Sequence, residues 1–132
     1  LTFGPEGAPT QHRDHRAISR AATAAFFLAG LATEYVDQLR EVEPHSPSRL
    51  YFAAWDPASP EAELKALSLP VSCRVPVMEQ LATKREAFLA HASQRQHEKR
   101  FEELTMLPTE RFALATGVAQ PRSVTESLFE GL

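Results

Sequence analysis

Apolar residues recur at helical spacing soon after the start of the chain. Ile18, Ala21, Ala22, Ala25 and Leu28 fall on one face of a 3.6-residue repeat, so a helix is predicted from His15, with Asp14 as its N-cap and Gly30 as its stop. A longer, charged stretch from Val77 or Met78 to about Leu104 carries a second stripe: Leu81, Phe88, Leu89, Ala92, Phe101 and Leu104. A helix is predicted there with a break near Ser93. Strand patterns lie between and around these stretches. Leu1–Phe3 reads as the end of a strand, and Arg49–Trp55 as a strand rich in aromatic residues. Val71, Cys73, Val75 and Val77 alternate with Ser72, Arg74 and Pro76, the period of a half-buried strand, with Pro76 marking an edge or an end. Arg111–Ala115 predicts a short strand. Shorter helices are predicted over Thr33–Val42 and from Ser59 to about Leu67, where Ser59 caps and Pro60 takes the first helical position. A last helix is predicted after the capping-box pattern Ser123-Val124-Thr125-Glu126. Gly4–Gln11, with two prolines and two glycines, is a loop.

Composition narrows the class. The chain has 132 residues, 43% of them hydrophobic, with ten prolines and a net charge of -3, which suits one domain with many connections. Acidic and basic residues are mixed, so neither a nucleic-acid footprint nor a polybasic membrane patch is present. The longest apolar run, Ala21–Ala32, is broken by Thr23 and Gly30 and falls short of the roughly 20 residues of a membrane span. The single cysteine, Cys73, is read as a packed core thiol, since a nucleophile needs an adjacent base or cation and Arg74 points to the other face of the strand. One cysteine and no signal sequence fit a cytoplasmic setting. The opening Leu1-Thr2-Phe3-Gly4-Pro5 reads as though it enters a domain partway, so the chain is expected to be the C-terminal portion of one domain.

The chemistry concentrates in His12-Arg13-Asp14-His15. Two imidazoles and a carboxylate at a helix N-terminus can bind zinc, polarise a carbonyl and pass a proton. An H-x-x-H pair by itself more often caps a helix or faces solvent; Asp14 strengthens the functional reading as the usual carboxylate partner of ligating imidazoles. The aspartates are Asp14, Asp37 and Asp56, and no second His/Asp/Glu cluster has ligand-like spacing, so the three protein ligands of a catalytic zinc are not complete here. His45 and His97 read as solvent residues. Trp55, Tyr51 and Phe52 read as core more readily than as a sugar-stacking platform.

Thr2-Phe3-Gly4-Pro5-Glu6-Gly7, followed by His12-x-Asp14-His15-Arg16-Ala17-Ile18-Ser19-Arg20, resembles the second motif, H-P-D-H, of the PIG-L/LmbE-like zinc-dependent N-deacetylases. Lys84-x-x-Ala87-Phe88-Leu89-x-His91-x-Ser93-Gln94 is similar to a late segment of that family, and Ser127-Leu128-Phe129-Glu130-Gly131-Leu132 to its ending. The resemblance implies an α/β, Rossmann-like, mostly parallel sheet flanked by helices, with its N-terminal part missing from this chain. It implies Zn2+ as cofactor, with His15 as a metal ligand. The remaining ligands and the general base would come from an A-H-P-D-D motif in the missing N-terminal half. By the same matching, His12 stabilises the oxyanion or protonates the departing amine, and Asp14 orients the pair. Arg13, in place of the family's proline, can reach an anionic group on the substrate. His91 and Gln94 either contact substrate or end a helix. The implied reaction hydrolyses an N-acetyl group on a small amino-sugar-type substrate to acetate and free amine, and these 132 residues alone are expected to be inactive. The alternatives are a related thiol-conjugate amidase, or a non-catalytic binding protein of the same fold whose Met78–Leu104 helix oligomerises; a homo-oligomer is left open.

Overall fold

Strand β3 (Thr109–Gly117) organises the molecule, because it pairs along both edges. The structure is a computed structural model that describes residues 1–7, 11–54, 69–117 and 123–132. On one side of β3 lies β1 (Arg49–Ala53), with Phe52 opposite Ala113 and Ala53 opposite Phe112. On the other lies β2 (Cys73–Pro76), with Cys73 opposite Phe112. The register slips between Leu50 and Tyr51, whose partners are Thr116 and Leu114, so Ala115 is the extra residue of a bulge in β3. Side chains alternate across a strand, which places Tyr51, Phe112, Leu114 and Cys73 on one face and Phe52 and Ala113 on the other. The first face holds the core: Tyr51, Cys73 and Phe112, with Val75, Leu114 and Leu128 packed against them. Cys73 is 0% exposed, as expected of a packed core thiol.

The expectation of a mostly parallel, Rossmann-like sheet is wrong. All three strands pair antiparallel, in the order β1-β3-β2. Parallel strands need a crossover that carries the chain to the opposite end of the sheet. Here the helical stretch between β2 and β3 instead returns to the end it left: the Val77 N–H donates to the Pro108 carbonyl at 2.8 Å, beside the Pro76–Thr109 pair. Among the described residues, parallel pairing is confined to two isolated bridges, Thr2–Phe52 and Cys73–Thr125.

That stretch is two helices rather than one. After a 3-10 turn (Met78–Gln80) come α2 (Leu81–Ala90), a 3-10 segment (Ala92–His97) and α3 (Glu98–Thr105), so the break predicted near Ser93 is present. The break folds α3 back on α2, and Phe88 and Phe101 stack with ring centres 4.1 Å apart. The Arg85 guanidinium bonds to Glu98 and Glu102 across the gap. The hydrogen bond to Glu102, then the charge of Glu98, hold it above its already high ordinary pKa. Lys84 anchors the pair to the sheet, donating to the Thr105 carbonyl at 2.7 Å and to Glu110 at 2.6 Å. A single oligomerising helix over Met78–Leu104 is therefore not what the chain forms.

Helix α1 spans Arg13–Leu28, and only Ser19 on it is buried. Of the helix predicted over Thr33–Val42, a 3-10 turn at Gln38–Arg40 forms. The capping-box helix at Ser123–Glu126 does not form, because the backbone of Thr125 is taken up by the β2 edge: Thr125 N–H donates to Ser72 O at 3.0 Å, and Arg74 N–H to Thr125 O at 2.7 Å. The following turn is pinned by Arg49, which donates to the Leu128 and Glu130 carbonyls at 3.2 and 2.7 Å. Trp55 and the helix predicted from Ser59 to Leu67 lie outside the described residues. Among the described residues no helix is long and apolar enough to cross a membrane.

Candidate functional site

The approach to the histidines starts at the sheet. Thr2 bonds to β1 on both sides, its N–H to Tyr51 O at 3.0 Å and its O from Ala53 N–H at 2.8 Å, and this fixes Phe3. The chain then turns: the Gly7 N–H donates to the Gly4 carbonyl at 2.9 Å, with Pro5 in the second position that a turn favours. Gly7 has φ +75°, and a Cβ there would stand 3.0 Å from the His12 carbonyl oxygen and 2.7 Å from Arg16 Cγ. Only glycine combines that backbone with so close an approach to the first turn of α1.

His12, not Asp14, is the N-cap. Its Nδ1 accepts from the Asp14 N–H at 3.2 Å, satisfying one of the free N–H groups at the helix start. Asp14 lies one turn position inside the helix, where a carboxylate favours the N-terminal end of the dipole. Its Oδ2 is 3.7 Å from His12 Nδ1, too long for a hydrogen bond, so the backbone bond decides the state of the ring. With Nδ1 accepting, neutral His12 carries its proton on Nε2 and presents it as a donor.

His15 lies one helical turn further on, its ring stacked on Phe3 with centroids 4.0 Å apart and planes 6° from parallel. The His12 and His15 ring centres are 5.5 Å apart. His15 Nδ1 is buried with no hydrogen-bond partner, as is Thr2 Oγ1. A buried polar atom left unpaired costs about 1–3 kcal/mol unless something outside the protein satisfies it. The stack on Phe3, twelve positions away, had no signal in the local pattern; it depends on Thr2 pairing with β1.

The structure thus brings His12, Asp14 and His15 together. Arg13 points into solvent, its nearest acidic neighbour Asp14 at 3.6 Å. His91 and Gln94 stand apart from the cluster in sequence and are exposed between α2 and α3. The His91 N–H closes α2 on the Phe88 carbonyl, the Gln94 N–H donates to the His91 carbonyl, and the Gln94 side chain meets Ser93 at 3.4 Å. Their contacts are those of residues that end one helix and begin the next. His45 and His97 are exposed, as expected. Tyr51 is buried in the core with its hydroxyl donating to the Leu128 carbonyl at 3.2 Å, so it offers no stacking platform.

An imidazole with a buried, unpaired nitrogen fits the chemistry of one zinc ligand. Among the described residues no three His, Cys, Asp or Glu side chains gather around a common point. The chain matches no protein-family model, and neither a curated protein nor a solved structure matches it.

Proposed function

We propose that the His12–His15 segment forms one wall of a zinc-dependent amide-hydrolase site that removes the acetyl group from an N-acetylated, amino-sugar-type substrate. The observation that carries this reading is His15: its ring is locked against Phe3, its Nδ1 is buried and unpaired, and a second imidazole stands one turn away. The reading rests on that chemistry and on the motif, and takes no support from the antiparallel sheet.

The chemistry the metal supplies when bound is Lewis-acid polarisation of the amide carbonyl and activation of water. His15 would be one ligand, with the others, and the base that takes the proton from water, outside the described residues. His12 has the better-defined role. Because its Nδ1 is committed to the Asp14 N–H, the neutral ring offers Nε2–H, which suits the oxygen that gains charge as water adds to the acyl carbon. Delivering a proton to the departing amine would require the imidazolium, which gives up the cap. Oxyanion stabilisation is therefore the role that the capped ring favours. Asp14 acts through its backbone N–H as a positioning residue, and Arg13, exposed beside Asp14, lies at the surface where an anionic substituent can reach it. The C–N bond breaks, acetate keeps the oxygen from water, and the amine leaves with a proton.

The test is zinc content and acetate release measured together on the full-length protein. His15→Ala is expected to lose both at least tenfold. His12→Ala is expected to keep its zinc while kcat falls about 10²–10³-fold, the usual effect of losing an oxyanion donor. Unchanged zinc and unchanged acetate release in His15→Ala would overturn the reading.

A further inference from the structure

A concavity lies between the Gly4–Gly7 turn and strands β1 and β3, where Phe52 and Ala113 pair. It encloses about 260 Å³ and is walled by Pro5, Phe52, Ala53, Ala54, Leu69 and Ala113, with Glu6 at its side. Its shape follows from side-chain size. Phe52 stands opposite Ala113 across the strands, and the neighbouring alanines leave open the space that larger residues would fill. None of His12, Asp14 or His15 lines it.

Glu6 makes this more than a packing defect. The residue is partly buried, and among the described residues no hydrogen bond or ion pair reaches its carboxylate. The carboxylate is folded back over its own turn, where a Cβ at Gly4 would collide with both of its oxygens. Glycine at position 4 thus allows the charge to lie beside apolar walls. A cation that carries a short hydrocarbon chain suits this arrangement, since its charge pairs with the carboxylate while its chain covers the apolar walls.

We propose that this cleft binds a small primary alkylamine, its ammonium on Glu6 and its hydrocarbon chain against Phe52, the alanines and Leu69. The volume lies just below the roughly 300–1,000 Å³ of pockets for drug-sized ligands, which favours a body of a few carbons. The inference is independent of the metal reading, since the two sites share no side chain.

The probe is n-butylammonium chloride, titrated into the ¹⁵N-labelled protein, with n-butanol as the neutral analogue of the same length and potassium chloride as the salt control. Saturable shifts confined to the amides of Phe52, Ala53, Ala54 and Ala113 are expected, with affinity on the order of 1–10 mM for so small a ligand. Butanol should bind roughly tenfold more weakly, and Glu6→Gln should bring butylammonium down to the level of butanol. Ala54→Leu, which fills the cleft from the end of β1 while leaving Glu6 in place, should abolish binding of both. Equal binding of the amine and the alcohol, or shifts that do not saturate, would overturn the proposal.

Discussion

The sheet and helix α1 are built from similarly apolar sequence and end in opposite states. In the sheet, Phe112 is 6% exposed and Cys73 is fully buried; on α1, Ile18 and Phe27 are 50% and 58% exposed, and Ser19 is the buried residue. The difference comes from what each element has to pack against. β3 is paired along both edges and covered by Leu128 from the C-terminal turn, so burial and backbone bonding reinforce each other. α1 touches the other described elements sparsely. Three local devices hold its first turn: the His12 cap, the glycine contact at Gly7 and the stack of Phe3 on His15. Stability therefore resides in the sheet, and the histidines sit on the less stable part, where binding residues are commonly found.

The sharpest way to break this contrast is to remove the aromatic at the centre of the core. Phe112→Ala should cost about 3–5 kcal/mol in urea unfolding, because it opens a cavity under Tyr51 and Cys73. A loss under about 1 kcal/mol would mean that the sheet is not the seat of stability.

A smaller and more local effect is expected at the joint between the two regions. Gly7→Ala forces an L-residue into positive φ against the His12 carbonyl, at a cost of about 1–2 kcal/mol. The imidazole NMR signals of His12 and His15 should move while amides of β1–β3 stay in place. If the sheet amides move as well, the two regions are more tightly coupled than the contacts indicate.

The smallest effect belongs to the face of α1. Ile18→Ala and Phe27→Ala should each change stability by less than about 0.5 kcal/mol, as exposed substitutions usually do. A loss above about 2 kcal/mol at either position would show that α1 is covered in solution.

Much of the local structure was legible in the residues. The 3.6-residue repeat located α1, the alternation through Cys73 located a half-buried strand, Pro76 does end an edge strand, and the weak point near Ser93 is where α2 gives way to α3. The failures share a cause. Ser123–Glu126 has the residues of a capping box, yet two backbone bonds to the edge of β2 outweigh a helix that no other element would pack against. Asp14 is a better cap by residue type, but the chain enters α1 two residues earlier and gives the role to His12. The strand direction that the resemblance implies is wrong because the helical connection between β2 and β3 doubles back, as the meeting of Val77 with Pro108 shows.

The sequence by itself determined where α1 and the strand through Cys73 lie, that Cys73 is a core residue, and that two imidazoles and a carboxylate share the start of one helix. Those properties depend on neighbours within a turn or two, where backbone geometry limits the choices. The tertiary structure alone decided that the sheet is antiparallel, that Phe3 clamps His15, and that Glu6 flanks an apolar cleft. Each depends on segments tens of residues apart, or on a strand partner that local spacing does not specify, and which pairing forms is set by the burial and hydrogen bonding of the whole sheet.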